Sequence, residues 1–212
     1  MDLTGWYLFT LRTVTVATVP VLGDLQTVTE SVMVAHLEQA DGFLQGRNEI
    51  CDITIEGATE LARTVLPVAF VKGVPTGPYR LQLTEEEGQT RLSGELAVVH
   101  VGYDPALGPL PSTLEDPSVV DTDGDGQPGA TVVVDIKMLG PFEIYLAQRS
   151  QVHVDGVWSD AGFSGVSSLP VMEQAIIGSE HPLLSTAPVL ETTAGDFTLE
   201  PLPGPTTCAA LG

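Results

Sequence analysis

From Thr131 to Asp155 the chain repeats with a period of two. Val132, Val134, Ile136 and Met138 alternate with Thr131, Val133, Asp135 and Lys137. Beyond Gly140-Pro141, Phe142, Ile144, Leu146, Val152 and Val154 share one parity, while Glu143, Arg149, Gln151, His153 and Asp155 share the other. Successive side chains of a strand point to opposite faces, whereas a helical face recurs every 3.6 residues, so this stretch must be strands with one wet face. The nine apolar residues are expected to build one sheet face, with Gly140-Pro141 breaking the run and Asp155-Gly156 turning a hairpin.

The remaining segments follow the same chemistry. Thr4 to Val19 and Thr27 to Gln39 are rich in Thr, Val and aromatics, which suit a pleated surface. Pro20 and Gly23 separate them, Asp41-Gly42 is a turn signal, and Phe43 to Glu56 reads as a third strand of an antiparallel meander. In Glu60 to Val71 a helical start competes with Pro67 and its neighbouring valines, which favour an irregular or edge strand. Tyr79 to Thr84 and Thr90 to Val101 flank Glu85-Glu86-Glu87-Gly88, a natural exposed hairpin end. One short helix is expected near 169–177, with Ser168 to cap it, Pro170 in its first turn and Gly178 to stop it. A strand returns at Asp196 to Leu199. A long loop over 103–129 carries Pro105, Pro109, Pro111 and Pro117, and loops of that length are usually functional or disordered. The expected fold is a single all-β domain over residues 1–212, an antiparallel closed barrel with a β-sandwich as the alternative.

Charge narrows the partners. Asp and Glu outnumber Lys and Arg by 28 to 8, a net charge of −20 that repels nucleic acid and anionic membranes. No apolar run reaches the roughly 18 residues of a transmembrane helix, so the chain is not expected to be an integral membrane protein. The two cysteines, Cys51 and Cys208, lack metal-site and redox-motif spacing and are expected to form a disulfide, which belongs to an oxidising compartment. No charged segment and apolar run follow Met1-Asp2-Leu3, a start that suits a trimmed exported chain and a cytosolic one alike. The expected location is secreted, periplasmic or at the cell surface.

Asp121 to Gly129 reads DTDGDGQPG and resembles the start of an EF-hand-type calcium loop, the kind also found in thrombospondin-like modules. Asp121, Asp123 and Asp125 fall at its first, third and fifth positions, Gly126 at the sharp sixth, and Gln127 at the seventh, which donates a main-chain carbonyl. The resemblance implies a structural Ca²⁺ on these residues. Position twelve, where the pattern has a bidentate Glu, is Val132, so any site must borrow a ligand from Glu115, Asp116 or Asp135 or keep extra water.

Other constellations are thinner. Gly162-Phe163-Ser164-Gly165 lacks the final Gly of a nucleophile elbow, since Val166 stands there. His36, His100, His153 and His181 form no metal motif, although strands can gather the first three. Thr4-Gly5-Trp6-Tyr7 resembles the G-x-W-Y motif on the first strand of lipocalins, and the chain is similar in general character to secreted bacterial proteins with a lipocalin-like β-barrel. Without that resemblance Trp6 is an aromatic packed against the core. The expected function is an exported, calcium-braced barrel that binds a small apolar ligand or partner without catalysis. The alternatives are a structural or adhesive surface module and a hydrolase or isomerase using Asp, Glu or His; no catalytic residue can be nominated.

Overall fold

The computed structural model describes residues 2–19, 23–57, 62–186 and 189–211. The expected break at Pro20 and the start of the ambiguous segment, Glu60 and Leu61, lie outside them. The strands are β1 (Gly5–Val19), β2 (Gly23–Ala40), β3 (Phe43–Gly57), β4 (Ala62–Val65), β5 (Tyr79–Glu86), β6 (Gln89–Glu95), β7 (Val99–Val101), β8 (Ala130–Ile136), β9 (Gly140–Ser159), β10 (Gly162–Ser179) and β11 (Val189–Leu202). All belong to one antiparallel sheet.

Eight strands close into a ring, in the order β1, β2, β3, β5, β6, β9, β10, β11 and back to β1. The expected meander is its first part: β1 pairs β2 from Gly5↔Leu37 to Val19↔Gly23, and β2 pairs β3. Two hairpins turn on residues that both hold positive φ, Asp41-Gly42 (52° and 77°) and Glu87-Gly88 (51° and 79°), the geometry whose twist matches paired strands. β9 anchors the rest. One edge pairs β10, and the other is shared in succession by β8, β7 and β6. Among the described residues β4 pairs β8 alone, which makes it the edge strand that Pro67 foreshadows. Pro67 then leads into α1 (Val68–Gly73).

Alternate residues from all eight ring strands meet in one core cluster. Phe9, Leu37, Leu44, Leu81, Leu92, Val154, Phe163 and Phe197 are each at most 1% exposed. Burying side chains of this size stabilises by roughly 1.5–3 kcal/mol each. A second cluster, with Val132, Ile144 and Leu146, lies between β8, β9 and α1's Phe70.

Four expectations are corrected. The segment 169–177 is not a helix but the middle of β10. The strand pairs β9 on both sides of a bulge between Ser168 and Val171, and Pro170, which has no N–H to donate, sits in that bulge. Asp155-Gly156 is not a turn: both lie inside β9, and Gly156 faces Gly165 of β10. A Cβ on Gly156 would stand 2.5 Å from the Ser164 carbonyl oxygen and 2.7 Å from Phe197 Cζ, so glycine is there for close packing. Met138 leaves the apolar face, 99% exposed at the β8–β9 turn with φ 78°. On β1 it is Tyr7, Phe9 and Leu11 that enter the core, while Trp6 has the opposite parity and stacks on His36 across the strand pair, 4.7 Å between centroids.

Among the described residues the β10–β11 backbone ladder runs along Phe163–Ser167 against Gly195–Leu199, and Thr192 Oγ1 donates to the Leu169 carbonyl (3.3 Å) just beyond it. Beyond that seam, β10 follows β9 while the start of β11 follows β1. The C-terminal tail returns to β3 through the Cys51–Cys208 disulfide, across 157 residues of sequence. The expected pairing is therefore present, and it fits an oxidising compartment. Among the described residues no helix is long and apolar enough to cross a membrane.

Candidate metal centre and an adjoining cleft

The segment after β7 is a compact loop with a narrow neck. Tyr103 bridges Val119, Asp104 N donates to the Ser118 carbonyl (2.8 Å), and Val120 N donates to the Gly102 carbonyl (3.2 Å). Ser118 is fully buried, and its hydroxyl donates to Asp116 Oδ1 at 2.7 Å. Gly102 N is held by Thr122 Oγ1 at 3.0 Å, which ties the neck directly to the acidic stretch.

In that stretch the chain folds its carboxylates inward. Asp121 Oδ1 accepts from Gly124 N (2.6 Å) and its Oδ2 from Gly126 N (3.0 Å), and Asp125 Oδ1 accepts from Gln127 N (2.7 Å). Gly124, Gly126 and Gly129 hold φ of 71°, 87° and 84°, a region that side chains with a Cβ avoid. Asp123 reaches furthest in, its Oδ2 accepting from Thr131 N (2.9 Å) at the head of β8.

Asp121, Asp123 and Asp125 each present a carboxylate oxygen within 4.8 Å of the others. Ligands on opposite sides of one Ca²⁺ stand about 5 Å apart, twice the 2.3–2.6 Å bond, so the three can share an ion. Among the described residues no ion pair reaches any of these carboxylates. Asp123 Oδ1 is buried with no hydrogen-bond partner, and so is Oγ1 of Thr131, the residue whose N–H donates to the other carboxylate oxygen. An unsatisfied buried group costs about 1–3 kcal/mol. Burial, opposed in part by the Thr131 N–H, and the nearby carboxylate of Asp125 push the Asp123 carboxyl above its ordinary value. Desolvation also pushes Asp121 up, but the N–H groups of Gly126 and Gly124 outweigh it and hold that carboxyl below its ordinary value.

The borrowed ligands do not gather there. Among the described residues no further His, Cys, Asp or Glu joins the group. Asp116 serves the Ser118 turn, Asp135 sits exposed on β8, and Val132 at the twelfth position is 3% exposed in the core. Gln127, expected to offer its main-chain carbonyl, is tied to the loop by its N–H, which donates to Asp125 Oδ1. The end of α1 presses on the loop: a Cβ on Gly73 would lie 2.5 Å from the Thr122 carbonyl oxygen. A hollow of about 580 Å³ between α1 and the loop is lined by Lys72, Asp121 and Asp123.

The same loop walls a larger cleft of about 970 Å³ where the β10–β11 seam opens. Its floor is a cross-strand row: His100 on β7 faces Arg149 on β9, which faces Glu173 on β10. Arg149 Nη1 lies 3.6 Å from Glu173 Oε2. His100 meets Tyr103 edge-on, with ring centroids 5.4 Å apart. Burial first, then the charge of Arg149, hold His100 below its ordinary pKa, so the imidazole is neutral at pH 7. The sequence does not announce this row, because its members lie far apart in the chain and meet only through strand register.

The histidines stay apart. His36 stacks on Trp6, His153 lies 3.5 Å from Ser93 Oγ, and His181 contacts Phe142. Ser164 is an ordinary residue of β10. No family model, curated protein or solved structure matches the chain.

Proposed function

We propose that the chain is an exported, calcium-braced β-barrel that binds a small apolar ligand or partner without catalysis. Asp121, Asp123, Asp125 and the carbonyl of Gln127 hold the Ca²⁺ in this reading. One observation carries it: three exposed-to-half-buried carboxylates converge, with no ion pair to them among the described residues, around a buried carboxylate oxygen that lacks a partner. An irregular loop of oxygen ligands suits Ca²⁺ better than Mg²⁺, which requires stricter octahedral geometry. The closed ring of eight strands supports the barrel, because eight strands enclose a space that side chains just fill. Lipocalin barrels of that size leave a cavity for one small ligand, but here Phe9, Phe163 and Phe197 occupy the centre. The ligand seat is therefore the external cleft, whose size suits small molecules. Calcium at the neck braces the loop that forms its wall. The disulfide supports export.

A structural or adhesive role is the second reading, favoured by the filled ring and by Met138 and Leu139, 99% and 56% exposed at a hairpin tip. The test of the first is calorimetric titration of chelator-treated protein with Ca²⁺. Saturable heat and a higher melting temperature are expected, both lost in Asp123→Ala. A ligand that binds only the folded form adds about 2.7 kcal/mol at a hundredfold excess over its dissociation constant. For a chain of this size that corresponds to roughly 5–10 °C. A melting temperature indifferent to chelator and calcium would falsify the bracing.

A further inference from the structure

We propose that the cleft selects an apolar monocarboxylate, gripped at its carboxylate by Arg149 with its body against the prolines of the loop. The inference rests on the reading that this cleft is the ligand seat, and adds the chemical class of the ligand.

Charge placement points to it. The chain has only eight Lys and Arg residues against 28 acids, yet one of those eight sits on the cleft floor beside a neutral His100. Arg149 is half-compensated. Among the described residues its ion pair is to Glu173 and spans 3.6 Å, longer than the 2.7–2.9 Å of a charge-assisted hydrogen bond, and its side chain is 42% exposed. A guanidinium carries five N–H donors in a planar fork that fits a carboxylate bidentately, so most of them remain for a ligand. Glu173 sets the charge of that ligand. Its carboxylate, within a chain of net charge −20, penalises a dianion such as a phosphate monoester more than a monoanion. The walls set the body. Pro105, Pro109, Leu110, Met172 and Leu190 present apolar surface around the charged row. Pro109 backs onto the buried Ser118, its carbonyl 3.5 Å from that hydroxyl.

The experiment uses the full ¹⁵N-labelled chain with calcium, titrated with 4-phenylbutyrate and with its neutral isostere 4-phenylbutyramide. The carboxylate should shift the amides around His100, Arg149 and Glu173 saturably, and bind at least about tenfold tighter than the amide. Arg149→Gln should abolish that preference, Arg149→Lys should keep part of it, and Glu173→Gln should tighten carboxylate binding. Equal binding of the two probes, or a preference that survives Arg149→Gln, overturns the carboxylate assignment and leaves the apolar-ligand reading standing. If neither probe shifts the cleft up to about 10 mM, well above a useful dissociation constant, both fall.

Discussion

Gly156→Ala should weaken the ring at its tightest point. Gly156 of β9 faces Gly165 of β10, and the ring of Phe197 from β11 lies over the pair. The new methyl would stand 2.5 Å from the Ser164 carbonyl oxygen and 2.7 Å from Phe197 Cζ. One obstacle is backbone within a paired strand and the other is a ring 1% exposed, so neither can swing aside as a surface side chain would. Overpacking of this kind costs roughly 1–3 kcal/mol, and the backbone contact places this case near about 3. Replacing glycine also lowers the entropy of the unfolded chain, which returns about 0.4–1 kcal/mol. The expected net loss is about 2 kcal/mol, or a fall of roughly 4–8 °C in melting temperature. Urea unfolding should show a lower midpoint with an unchanged slope, the sign that stability alone has changed. Gly57→Ala is the control, since nothing lies within 4 Å of its Cβ position. If the two variants unfold together, the close approach at Gly156 is not a constraint and the packing argument for the ring fails.

Replacing Cys51 and Cys208 together by serine should lower stability by up to about 5 kcal/mol, the chain-entropy figure for a loop closed across 157 residues. A change in urea midpoint too small to measure would show that the tail is not coupled to the fold. Tyr79, whose hydroxyl donates to Asn48 Oδ1 at 2.6 Å, is pushed well above the ordinary phenol value by burial. Its protonated form is favoured in the folded state, so its contribution is full below about pH 10 and is lost as the pH rises above that value. Tyr79→Phe should therefore flatten the alkaline loss of stability by about 1.4 kcal/mol per pH unit, one proton's worth, in melts recorded above about pH 10. An unchanged alkaline slope would assign the effect elsewhere.

Much of this architecture is legible in the residues. Alternation over 131–155 marks β8 and β9, and Asp41-Gly42 and Glu87-Gly88 mark hairpins, because both signals are local. Ser168-x-Pro170 misleads because a helix start and a strand bulge use the same residues: each needs a position where a missing N–H does no harm. Asp155-Gly156 misleads for a related reason. Glycine there answers to Phe197, 41 residues further along the chain, and no local rule carries that information. The three aspartates are legible as a group because they lie within five residues of one another. The Arg149 row is not, since it exists only once β7, β9 and β10 have found their register.

The most direct measurement is a crystal structure of the protein grown with calcium and again with chelator. One ion is expected within 2.3–2.6 Å of a carboxylate oxygen from each of Asp121, Asp123 and Asp125, including the buried Oδ1 of Asp123. In chelator that density should vanish while the ring stays closed. Density only for water among the three carboxylates at saturating calcium, or an ion held elsewhere, would contradict it.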